Sequence, residues 1–140
     1  FNNLQSSLTP IDDIKKTRTT LKDCGLLFFS TRIGTGFDML CLLEHSKIFP
    51  YEHIYLPSID TLKIILEKAG YKILEIATPG RLDAIYVREQ RERICSGDYF
   101  IKYLMDHADM TILQEFQRFL QQSNMSSYVQ IVAQKVEEPK

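Results

Sequence analysis

Between Thr9 and Gly25 the apolar positions Ile11, Ile14 and Leu21 are separated by charged residues, and Pro10 occupies a natural first helical position, which together predict a helix stopping before Gly25. The pattern then changes. "GLLFFST" is a short, nearly continuous apolar run and predicts an interior parallel strand, from about Leu26 to Thr31, buried on both faces. The loop "RIGTG" breaks it, and "FDMLCLLEH" has the density of a short helix with Phe37, Leu40, Cys41 and Glu44 at helical spacing. Ser58 suits an N-cap; Leu62, Ile65, Leu66 and Ala69 form one apolar face behind it, and Gly70 stands where a left-handed cap residue belongs. "YKILEIAT" alternates Ile73, Leu74 and Ile76 with Lys72 and Glu75 as a second strand, ended by Pro79 and Gly80.

Beyond Asp83 the pattern is helical: Leu82 to Ile94, a break at Ser96 and Gly97, Tyr99 to Met105, then Thr111 to Leu120 with Leu113, Phe116, Phe119 and Leu120 on one side. "SSYVQIVAQK" closes the chain as a strand, with Gln130, Gln134 and Lys135 facing water. There is no internal repeat, low-complexity tract or interdomain linker, so residues 1–140 are expected to form a single domain.

A strand, a helical crossover and a parallel strand belong in an α/β sheet covered by helices, where ligands bind outside the carboxyl ends of the strands. "TRIGTGF" leaves the first strand, "YEHIYLPS" precedes the helix leading to the second, and "TPGRLD" leaves the second. All three segments are expected on one rim.

Composition narrows the partners. Seventeen basic side chains against eighteen acidic leave a formal charge of −1, so no global field draws the chain to nucleic acid or to a membrane, and neither partner is expected. Cys24, Cys41 and Cys95 are odd in number and widely spaced, which fits reduced thiols in the cytoplasm rather than disulfides or zinc. No transmembrane run or signal peptide is read in the sequence.

On the rim, His53 beside Glu52 reads as a hydrogen-bonding loop residue or as a base. Tyr55 lies in the same segment. Arg81 and Asp83 form a local ion pair, cap the following helix, or contact substrate. Arg32 and Phe37 pair a cation with an aromatic side chain where a substrate carboxylate would be held; a solvated Arg and a core Phe are the alternative. His45 and His107 lack ligand-spaced partners, so no metal site is expected. "REQRER", Arg88 to Arg93, alternates in sign like a solvated helix face.

At these residues the sequence resembles the carboxyl-terminal half of class I S-adenosylmethionine-dependent methyltransferases. "LKDCGLLFFST" looks like the family's "Lk-x-GG-apolar strand". "FPYEHIYLPSIDTLKIILEKAGY" looks like its "P-x-EH-x-x-aromatic-x-S-x-x-x-L-x-x-L-x-x-aG-F/Y", and "TPGRLD" and "SSYVQIVAQK" resemble the strand-end turn and last strand of one subgroup. Cys24 replaces a common Gly, and Leu56-Pro57 replaces a more usual pair. The resemblance implies a partial Rossmann-like sheet, the equivalents of strands five, six and an antiparallel seven, with flanking helices and a helical insert. It also implies that Arg32, Phe37, His53, Tyr55, Arg81 and Asp83 contribute to binding a small-molecule methyl acceptor.

The cofactor S-adenosylmethionine would be held by a half that this sequence lacks. No G-x-G-x-x-G unit occurs, and "GTG" at Gly34 to Gly36 runs straight into Phe37 and Asp38 without the later acidic partner. The chain opens on Phe1 rather than Met, so the expectation is a fragment of a longer methyltransferase, inactive and without cofactor by itself. The alternative is a non-catalytic methyltransferase-like module that binds a protein partner through Tyr99, Tyr103 and Phe116. In either case the first strand, deprived of a flanking neighbour, is expected to self-associate through its edge, unless the first helix, Pro10 to Lys22, folds across it.

Overall fold

The computed structural model of the chain describes residues 4–49 and 51–136. Its regular elements are α1 (Pro10–Thr20), β1 (Leu26–Arg32), α2 (Phe37–Leu42), α3 (Ile59–Lys68), β2 (Tyr71–Ala77), α4 (Asp83–Glu89), α5 (Tyr99–His107), α6 (Met110–Gln122) and β3 (Tyr128–Lys135). The sheet order is β1-β3-β2, with β3 antiparallel to both neighbours. β1 and β2 therefore run parallel without touching, and the start of β3 lies at the same rim as their carboxyl ends.

α3 forms for the expected reasons. Ser58 Oγ accepts from Thr61 N at 3.1 Å, Leu62, Ile65 and Leu66 are buried, and Gly70 closes the helix at φ +78°. Arg18 of α1 donates to the carbonyls of Gly70, Ala69 (3.4 Å) and Val136 (3.2 Å), and Thr17 Oγ1 lies 2.6 Å from Tyr71 Oη. These contacts hold α1 over the start of β2 rather than along β1.

Two cores result. α1 and α3 cover one sheet face, where Ile14, Leu27, Phe29, Leu62, Leu66, Tyr71, Val129, Ile131 and Ala133 are buried together. Each buried Val, Leu, Ile or Phe among them contributes about 1.5–3 kcal/mol of hydrophobic stabilisation. Beyond the strand ends, α2, α4, α5 and α6 enclose Phe37, Cys41, Leu42, Ala84, Val87, Met105, Leu113 and Leu120. No helix among the described residues is long and apolar enough to cross a membrane.

Several elements differ from the sequence expectation. β1 is not buried on both faces: Leu27 and Phe29 are buried while Leu26 is 45% and Phe28 65% exposed, because the covering helices lie on one side. The opposite face carries an open hollow of about 390 Å3 lined by Phe28, Ser30, Glu75, Gln130 and Val132, among others. In β2 a bulge between Ile73 and Glu75 replaces simple alternation and leaves Leu74 half exposed.

α2 ends at Leu42, ahead of a positive φ of 45° at Leu43; Asp38 and Met39 are buried on it, while Leu40 and Glu44 are exposed. The long helix expected from Leu82 to Ile94 is α4 followed by a single 3-10 turn at Arg91–Arg93. On α6 the buried line is Leu113, Gln117 and Leu120, spaced by four and three residues, so Phe119 faces outward and a glutamine takes the inner position. Of the proposed contact aromatics, Tyr99 and Tyr103 are exposed, but Phe116 turns inward and meets the Phe37 ring edge-on at 5.1 Å.

Candidate functional site

The three strand ends meet at one rim through close backbone approach. Ile33 N donates to Ser127 O (2.9 Å) and Phe37 N to Met125 O (2.8 Å), lacing the loop after β1 to the residues leading into β3. Glycine is required twice. A Cβ on Gly36 would lie 2.3 Å from Ser127 Cα, and one on Gly80 would lie 2.0 Å from Ser126 Oγ. These two glycines let the loops after β1 and β2 close against Ser126 and Ser127.

A cavity of about 260 Å3 opens between the loops. At its floor Asp83, 9% exposed, accepts from Gln117 Nε2 (2.9 Å), Ser126 Oγ, Ser127 N (3.3 Å) and Ser127 Oγ (2.5 Å). Burial alone raises a carboxyl's pKa, yet here the hydrogen bonds from Ser126, Ser127 and Gln117 outweigh it and hold Asp83 below the ordinary carboxylate value. Gln117 is fully used: its Nε2 also donates to Gly80 O (2.8 Å), and its Oε1 accepts from Ala84 N (2.9 Å).

Next to it Asp38, 3% exposed, bonds Arg32 Nη2 through Oδ2 and Ser127 Oγ through Oδ1. Ser127 thus touches two carboxylates with one hydroxyl proton and donates to one at a time. Arg32 Nε is buried without a hydrogen-bonding partner among the described residues. The mouth carries Arg81, Lys47, Tyr86 and Tyr128. The Lys47 ammonium lies 4.4 Å from the centre of the Tyr86 ring, whose hydroxyl donates to His45 O at 3.3 Å.

Of the residues singled out from sequence, Arg32, Arg81 and Asp83 line this one cavity. Asp83 neither caps α4 nor pairs with Arg81, because its oxygens are taken by Gln117 and the two serines. Phe37 belongs to the second core. His53 and Tyr55 lie outside the cavity. His53 Nδ1 accepts from Phe49 N at 3.0 Å, and Tyr55 N donates to Gln5 O at 3.0 Å while its ring packs on the first core, where burial raises the phenol's pKa. Their segment meets the rim only further on, where Gly34 N donates to Pro57 O at 3.1 Å.

Asp38, Lys47, Tyr86, Gln117, Ser126, Ser127 and Tyr128 were not legible as site residues. Asp38 reads as an ordinary first-turn acid, and Gln117 as a polar position on a helix. Ser126 and Ser127 carried one usable signal: a strand antiparallel to its neighbours starts where they end. Among the described residues no group of three or more His, Cys, Asp or Glu side chains is arranged to hold a metal ion.

No family model matches the chain, and no curated protein matches it. Among solved structures it is similar to phospholethanolamine N-methyltransferase 2 of Haemonchus contortus, solved with phosphomonomethylethanolamine and S-adenosylhomocysteine, at TM-score 0.54 and 15% identity over 97% of this chain. It is also similar to the 4+2 cyclase SpnF, at TM-score 0.51 and 14% identity over 98% of this chain. The chain spans 32% of the first protein and 48% of the second. At such identities the likeness is one of fold: the chain has a mixed α/β, methyltransferase-like fold, with a three-stranded antiparallel sheet and flanking helices.

Proposed function

We propose that the chain is the carboxyl-terminal half of an S-adenosylmethionine-dependent methyltransferase and supplies that enzyme with its acceptor-binding rim and one side of its sheet. The observation that carries this reading is the sheet itself. Two parallel strands divided by an antiparallel third converge their ends on one cavity, in a fold whose solved relatives are two to three times longer.

The described residues do not fit the cofactor. Gly36 and Gly80 are filled by Ser127 and Ser126, Gly70 by Arg18, and both carboxylates of the rim are engaged internally, leaving none for ribose hydroxyls. When bound in the parent protein, the cofactor supplies the methyl group. This half orients the acceptor and excludes water from it, which in a transfer reaction is most of what a protein contributes.

Calorimetric titration of the chain with S-adenosylmethionine is expected to show no binding at micromolar concentrations. Micromolar binding would overturn the division of the fold. In the parent enzyme, Arg81→Ala is expected to raise the acceptor KM while His53→Ala, outside the cavity, leaves it unchanged; equal effects of the two would count against the rim assignment.

A second reading, a protein-binding module without catalysis, is supported by α5, on which Tyr99 is 80% and Tyr103 64% exposed. Association of two copies through the outer strand β1 is part of either reading. Its support is the apolar exposure of Leu26, Phe28 and Leu74 on and beside that sheet face.

A further inference from the structure

We propose that the rim cavity binds the anionic group, a carboxylate or a phosphate, of a small ligand, with Lys47 and Arg81 as its counter-charges; that this ligand is the methyl acceptor rests on the reading above. The proposal follows from how charge is distributed around the cavity. Three cations, Arg32, Lys47 and Arg81, face two carboxylates, Asp38 and Asp83, a local excess of one positive charge in a chain whose formal charge is −1. The two carboxylates are already committed. Asp83 accepts from an amide side chain, two hydroxyls and a backbone N–H, and Asp38 is paired with Arg32.

Lys47 and Arg81 are not so committed: neither forms an ion pair among the described residues. Lys47 is held at the mouth by the face of Tyr86, which restrains an otherwise flexible side chain without neutralising it. Tyr86, Tyr128 and Leu82 give the walls apolar surface for the body of the ligand. A free ammonium ligand is disfavoured, because it would meet the two mouth cations before reaching carboxylates that are buried and already hydrogen-bonded.

The test uses the whole chain and needs no cofactor, so it can fail while the methyltransferase reading stands, and the converse. Tyrosine and arginine side-chain NMR resonances would be followed during titration with inorganic phosphate and, separately, with acetate, ionic strength being held constant with chloride. Saturable shifts of Tyr86 or Tyr128 with one anion are expected, and the stronger anion assigns the class. Lys47→Ala and Arg81→Ala should each weaken that binding by about fivefold, the size expected for one exposed charge contact. Both changes are at exposed positions, and thermal melts matching the unaltered chain confirm folding. Lack of saturation with both anions overturns the proposal, as does binding that both variants leave intact.

Discussion

Ser127 Oγ stands 2.5 Å from Asp83 Oδ1, a bond between residues 44 positions apart that fastens the start of β3 to the start of α4. The same hydroxyl reaches Asp38 at the start of α2, so one serine joins the segments that follow β1 and β2 to the segment that precedes β3. The cavity floor is therefore also a structural clasp, and changes there should register in stability as well as in binding.

Asp83→Asn is the sharpest probe of the clasp. The amide preserves shape but replaces one accepting oxygen with a donor facing Gln117 Nε2 and Ser126 Oγ or the Ser127 groups. Hydrogen bonds to a charged group are worth about 1.5–3 kcal/mol each, and a buried unsatisfied donor adds to the loss. A decrease of roughly 2–4 kcal/mol in urea unfolding is expected. A change below about 0.5 kcal/mol would show that the clasp is not holding the rim.

Acid should act through the same residue. Its folded pKa lies below the ordinary value of 3.8, so its contribution is fully present above that value and is lost as pH falls through the lower folded value. The stability difference between the unaltered chain and Asp83→Asn should accordingly be constant near neutrality and narrow on acidification below about pH 4. A difference that widens in acid would mean that burial, not hydrogen bonding, dominates at Asp83.

The glycines give a pair of opposite outcomes. Gly36→Ala places a Cβ 2.3 Å from Ser127 Cα, a backbone atom that cannot swing aside, whereas Gly97 has nothing within 4 Å. The first substitution should cost about 1–3 kcal/mol as an overpacked contact and the second nearly nothing. Differential scanning calorimetry of the two variants checks this, and equal melting temperatures would contradict the close approach.

Thiol chemistry should separate the cysteines. Burial, with Asp98 and Asp38 nearby, pushes the Cys41 thiol up to about 12, while Cys24 is exposed. Roughly a thousandfold less thiolate at neutral pH, added to restricted access, predicts that a disulfide reagent labels Cys24 promptly and Cys41 only after denaturation. Prompt labelling of Cys41 in the folded chain would show that the second core opens readily.

Association is tested by light scattering. The purified chain should show the mass of a dimer, and Phe28→Lys, which charges the exposed side of β1, should shift it to a monomer. A stable monomer before any substitution would remove the pairing proposal.

The local elements were legible in the amino-acid order because their causes are local. Ser58, the apolar line Leu62, Ile65 and Leu66, and the left-handed Gly70 specify α3 without help from the rest of the chain, and the alternation of Val129, Ile131 and Ala133 specifies the buried side of β3. Three of the six rim candidates, Arg32, Arg81 and Asp83, line one cavity, and their nearness to one another follows from strand ends that such patterns locate. Tertiary structure decided the rest. Which face of β1 is covered depends on where α1 and α3 pack, so the same run Leu26 to Phe29 reads as fully apolar in sequence and half exposed in the fold. Likewise Asp38, Gln117 and Ser127 acquire their partners only when segments 34, 44 and 89 positions apart are brought together, and no periodicity records contacts made across such distances. His53 and Tyr55 do not line the cavity: the backbone of their segment is bonded to Gln5, and His53 Nδ1 to Phe49 N, contacts that no pattern in the sequence announces.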